Sequence, residues 1–263
     1  MTKVKAGALT LNVVADGPRD APAVILGHPL GADLSVWDAV APALAKKFFI
    51  VRFDARGHGG SDVPPGPYAL ADLGGDVVAL MDALGLARAH YIGLSMSGAV
   101  GQWLMINAPE RLDRIVLANT AAHFPGPDGW NARIRAARGG KMADLASMVV
   151  QRWLTPAFRA ADPEKYAEVE GLLRASPPLG YAACCAALRD ADFRDALRAA
   201  PARPALVMVG ESDASTPPAL GEALAGALPE APTPARVARL SAAHLSCVEA
   251  AEGFLAEVEA FLN

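Results

Sequence analysis

Five short apolar runs in this chain lack the polar alternation of a half-solvated strand. They are Val24-Ile-Leu26, Phe48-Phe-Ile-Val-Arg-Phe53, Tyr91-Ile-Gly-Leu94, Ile115-Val-Leu-Ala118 and Ala205-Leu-Val-Met-Val209. Runs of this kind suit the strands of a parallel sheet covered on both faces. Helix-period segments separate them: Val36 to Ala45, Leu70 to Leu84, Gly98 to Asn107 before Pro109, and Phe254 to Leu262 at the end. In the second, Leu73, Val77, Leu80, Met81 and Leu84 share a face. Strand, helix, strand, helix predicts an α/β fold: a mostly parallel central sheet flanked by helices with right-handed crossovers.

The rhythm breaks between residues 121 and 203. That stretch is rich in Ala, Arg and Leu and holds no strong strand run. It reads as a helical cap inserted into a core made of residues 1–120 and 204–263. A length of 263 residues fits one such domain with an insertion.

Composition narrows the function. Apolar residues make up 52% and charged residues 20%, within the globular range. The net charge of −4 lacks the basic excess of a nucleic-acid surface, so no nucleic-acid partner is expected. No apolar run approaches a membrane span, and the lysine-bearing N-terminus is not followed by a signal-like apolar core. Cys184, Cys185 and Cys247 are too few and badly spaced for a disulfide framework. They fit buried thiols in a reducing cytoplasm, the expected location.

The chemistry centres on Gly93-Leu-Ser95-Met-Ser97-Gly98, at a predicted strand-to-helix turn. A serine hydroxyl needs a base to become a nucleophile, and a sharp turn of this type lifts it clear of the sheet. Crowding demands small residues two before and two after the serine. Gly93 meets the first demand, and Ser97 stands where glycine is usual. Ser97 as nucleophile is the alternative register, without a leading glycine. Asp213 and His244 follow later runs in the order a hydrolase elbow requires, each just past a strand end, where α/β sheets keep their sites. Glu211 is the competing acid.

The oxyanion calls for two backbone N–H donors. Met96, next after the serine, supplies one. In the loop His28-Pro29-Leu30-Gly31, Pro29 has no N–H, so Leu30 is the second candidate. His28 reads as a brace. So do Asp54 and Arg56 in Asp54-Ala-Arg-Gly-His-Gly-Gly-Ser61, whose glycine spacing fits neither a phosphate loop nor a dinucleotide fingerprint. No metal-ligand spacing occurs, and no cofactor is called for.

Taken together, these motifs resemble the α/β-hydrolase superfamily and, within it, the 3-oxoadipate enol-lactonases. The narrower resemblance rests on Leu30–Trp37, Gly93–Met96, Gly101–Trp103, Asn119–Ala121, Trp130–Ile134, Arg152–Phe158, Gly180–Arg189 and Ala242–Ser246. Ser97 departs from the pattern. The resemblance implies an α/β-hydrolase fold and a small anionic lactone as substrate, opened to 3-oxoadipate in bacterial aromatic breakdown. A substrate carboxylate then needs a cap cation. Arg133 beside Trp130 is the candidate, with Arg152 and Arg189 as competitors. Rival functions are a general carboxylesterase, a carbon–carbon-bond hydrolase or a cofactor-free perhydrolase on the same fold. Further off stands a non-catalytic binder of small ligands.

Overall fold

The computed structural model describes residues 1–229 and 235–263. Its sheet has eight strands: β1 (Thr2–Ala6), β2 (Leu9–Asp16), β3 (Ala23–Gly27), β4 (Phe49–Phe53), β5 (Ala89–Leu94), β6 (Leu112–Ala118), β7 (Ala205–Gly210) and β8 (Arg236–Leu240). Their order is β1-β2-β4-β3-β5-β6-β7-β8. β1–β2 and β2–β4 pair antiparallel, and every other pair is parallel. The five apolar runs became β3 to β7, all buried along their length apart from Asp113 and Arg114 in β6.

The helices are α1 (Ala41–Leu44), α2 (Leu70–Ala83), α3 (Met96–Asn107), α4 (Pro127–Arg138), α5 (Met142–Val150), α6 (Pro156–Ala161), α7 (Pro163–Ala175), α8 (Pro178–Arg189), α9 (Arg194–Arg198), α10 (Pro218–Ala227), α11 (Ser246–Glu249) and α12 (Ala251–Leu262). Helices α4, α6, α7, α8 and α10 each begin on a proline. Its fixed φ suits the first turn, and its missing N–H has no partner to lose there. Helices α4 to α9 all fall between β6 and β7, yet those strands pair directly. Within this group α4 packs on α8 and α5 on α7.

Two details depart from the sequence reading. The single helix expected over Val36–Ala45 is a 3-10 turn, Leu34–Trp37, followed by the short α1. Pro42 explains the break, since its ring would collide with the carbonyl four residues back in a continuous helix. The β1–β2 hairpin was not anticipated. β1 is largely exposed, and its turn relies on Gly7 at φ 58° rather than on an apolar signal. No described helix is long and apolar enough to cross a membrane.

Candidate active site

Ser95 joins β5 to α3 at φ 56° and ψ −111°, outside the regions a side-chain-bearing residue ordinarily occupies. The turn is held from beneath. Ser95 N–H donates to the Ala118 oxygen at 2.9 Å, and the Thr120 hydroxyl donates to the Ser95 oxygen at 2.8 Å. A Cβ at Gly93 would lie 2.2 Å from the Ser97 carbonyl oxygen, so only glycine fits there. Ser97 is accommodated from the opposite side. A Cβ at Gly27 would fall 2.6 Å from that of Ser97, so the bare Gly27 provides the room its side chain uses. The Ser97 hydroxyl donates to the His28 oxygen at 2.6 Å and is thereby occupied.

The structure brings Ser95, His244 and Asp213 together from three separate loops. Ser95 Oγ lies 2.9 Å from His244 Nε2, and His244 Nδ1 lies 2.8 Å from Asp213 Oδ2. All three residues are less than a tenth exposed. The carboxylate can only accept, so Nδ1 carries the proton and Nε2 is free to receive one from Ser95. Asp213 also accepts from the Ser215 and Thr216 N–H groups at 2.7 and 2.9 Å, the Thr216 hydroxyl at 2.8 Å and Asn119 Nδ2 at 3.0 Å. Burial works to raise its proton affinity. The adjacent His244 and these hydrogen bonds outweigh burial and hold the carboxyl below its ordinary range. Glu211, the competing acid, is exposed.

Among the described residues, the N–H groups of Leu30 and Met96 have no acceptor within the protein. Gly31 N–H, the other donor in that loop, is taken by His58 Nε2 at 2.8 Å. His28 braces the same loop: its Nδ1 faces the Pro29 oxygen at 2.8 Å, and its Nε2 accepts from Ala55 N–H at 2.9 Å. Asp54 accepts from Leu34 N–H and Gly60 N–H, and Arg56 grips Asp76 through two nitrogens.

A small cavity opens beside Ser95. Trp130 and Arg133 of α4, Tyr181 of α8, Arg152 and Trp153 after α5, and Thr216 line much of it. The Arg133 guanidinium sits 5.0 Å from the Trp130 ring centre. Neither Arg133 nor Arg152 pairs with a carboxylate among the described residues. Arg189 lies outside the cavity, held by Asp190 and Asn131. Sequence reasoning gave no role to Asn119, Thr216, Trp153 or Tyr181. Asn119 offered one signal: it directly follows an apolar run, and it adopts φ 46°, a region Asn tolerates better than most residues. No group of His, Cys, Asp and Glu among the described residues could hold a metal ion.

A serine facing the open nitrogen of a carboxylate-anchored imidazole, with two unused N–H groups nearby, is equipped for acyl transfer. Comparison with known proteins points the same way. A family model described as alpha/beta hydrolase fold matches residues 22–251. The 3-oxoadipate enol-lactonase 2 of Acinetobacter baylyi is 37% identical over 255 residues, 97% of this chain and 94% of the relative. The crystal structure of the enol-lactonase from Burkholderia xenovorans LB400 superimposes with a TM-score of 0.95 at 38% identity, covering 99% of each chain. A hydrolase from Pseudomonas aeruginosa PA01 follows at TM-score 0.93 and 40% identity, over 99% of this chain and 97% of that one.

Proposed function

The chain belongs to the alpha/beta hydrolase fold family, beside its 3-oxoadipate enol-lactonases, and from that premise we propose that it hydrolyses 3-oxoadipate enol-lactone to 3-oxoadipate. The observation that carries the chemical half of this reading is the continuous contact from Ser95 Oγ to His244 to Asp213.

In the proposed mechanism Ser95 Oγ attacks the lactone carbonyl as His244 Nε2 takes its proton. The oxyanion accepts from the Leu30 and Met96 N–H groups. Collapse breaks the ring C–O bond, and His244 returns the proton to the departing enol oxygen, which stays tethered to the acyl-enzyme. The enol becomes the ketone. Water, activated by the same imidazole, then cleaves the ester to Ser95. Asp213 stabilises the imidazolium at each stage and keeps Nδ1 protonated.

Residues 121–203 form the cap in this reading. Arg133, backed by Trp130, receives the carboxylate that the substrate carries outside its ring. An unpaired cation facing the cavity beside Ser95 favours an anionic substrate over a neutral ester. The buried free thiols fit a reducing compartment, so the reading sets the reaction in the cytoplasm.

The test is active-site titration with a serine-directed fluorophosphonate, followed by lactone assay. One equivalent on Ser95 should abolish hydrolysis. A protein that resists labelling at Ser95, or keeps its lactonase activity when labelled, refutes the mechanism.

A further inference from the structure

Asn119 uses three of its side-chain hydrogen-bonding positions on the two loops that bear the acid and the base. Its Nδ2 donates to Asp213 Oδ2 at 3.0 Å and to the Ala243 oxygen, one residue before His244, at 3.2 Å. Its Oδ1 accepts from the buried Ser246 hydroxyl at 2.6 Å. The orientation of the amide is fixed by its partners, because a carboxylate and a carbonyl can only accept. Asn119 is itself 1% exposed and lies in the left-handed region at φ 46°.

We propose that Asn119 is a positioning residue that keeps Asp213 ionised and aimed at His244 by clamping the acid and histidine loops with one amide. The inference rests on the triad reading above. Asp213 Oδ2 takes both the Asn119 and the His244 hydrogen bonds. The Asn119 donor therefore tempers how strongly that oxygen holds the imidazolium proton. The low proton affinity of Asp213 agrees: His244 and then the Asn119 hydrogen bond lower it, against burial, which raises it. The other ionisable groups lining the cavity that His244 faces, among the described residues, are Arg133 from α4, Tyr181 from α8 and Arg152 after α5. Glu249 from α11 also bears on it, because its carboxylate accepts from Ala243 N–H.

Asn119→Asp separates charge from shape. It keeps the backbone region and the oxygen facing Ser246, but sets a second carboxylate against Asp213. Two carboxylates at this range share a proton, and when both ionise they hold a neighbouring imidazolium more tightly. Asn119→Gly removes the clamp without backbone strain.

The experiment measures the rate of fluorophosphonate labelling of Ser95 against pH in the wild type and both variants. Circular dichroism monitors folding. The Asn119→Asp labelling midpoint should move up by about one pH unit. Asn119→Gly should move it the same way by less and slow labelling about tenfold or more. Superimposable profiles, or slower labelling with an unmoved midpoint, overturn the proposal. If Asn119→Asp does not fold, the Asn119→Gly midpoint decides by the same rule. Failure of the wild type to label would instead refute the triad reading, so the two failures are distinct.

Discussion

The Ser97 hydroxyl and the His28 main-chain oxygen, 2.6 Å apart, tie the turn that carries Ser95 to the loop that carries Leu30. The two halves of the proposed oxyanion site are thus joined by a residue that stands where glycine is usual. Gly27 supplies the space. Ser97→Ala should leave a buried carbonyl without this donor and destabilise the protein by about 1–3 kcal/mol. Urea denaturation measures that loss. The kcat of the variant should fall while KM holds, because the loosened loop matters most when the oxyanion forms. Unchanged stability would mean the hydrogen bond is dispensable.

Gly93→Ala attacks the same turn by crowding. The new Cβ would meet the Ser97 carbonyl oxygen at 2.2 Å, and a backbone atom cannot move aside cheaply. Displacing the serine by even an ångström should cost about a hundredfold in kcat. Near-normal turnover would show that the turn has slack the structure does not display.

In the proposed function the cap contributes a charge. Arg133→Ala should raise KM for the anionic lactone and leave kcat nearly unchanged, the pattern of lost uniform binding. Hydrolysis of a neutral ester should not suffer. If KM for the lactone is unchanged, the carboxylate is read elsewhere, and Arg152 is the next residue to replace.

Acid should loosen the loop that carries Leu30 and Gly31 through His58. Complete burial, with the His28 ring adding to it, pushes His58 down to about 3. Free histidine titrates near about 6.5. Between these values the unfolded chain binds a proton that the folded chain refuses. This residue's share of stability is therefore lost as pH falls from about 6.5 toward 3, by up to about 1.4 kcal/mol per unit. Protonation would also end the acceptance of Gly31 N–H at Nε2. Urea midpoints between pH 7.5 and 4.5 measure the slope, and His58→Gln should flatten it. An identical slope in the variant would assign the acid sensitivity to other groups.

Much of this was legible in the sequence, and the reasons are physical. Parallel strands buried on both faces favour continuous apolar runs, so β3 to β7 announced themselves. Ser95 and Asp213 each follow such a run, and His244 follows the weaker run Val237 to Leu240, all at positions where small or turn-forming residues cluster. The β1–β2 hairpin sits at the edge of the sheet, where exposure dilutes the apolar signal. The clamp by Asn119 was invisible for a different reason: its partners lie 94 and 124 residues further along the chain. Local spacing cannot encode such contacts. Which arginines face the cavity likewise depends on how α4 and the residues after α5 fold over the sheet.

Steady-state hydrolysis of 3-oxoadipate enol-lactone, run beside p-nitrophenyl acetate with the wild type and Ser95→Ala, bears on the whole reading at once. The lactone should be preferred in kcat/KM by about a hundredfold or more. Ser95→Ala should lower kcat by about four orders of magnitude. No preference for the lactone, or more than a tenth of the wild-type kcat surviving in Ser95→Ala, would be incompatible with a serine lactonase built on Ser95, His244 and Asp213.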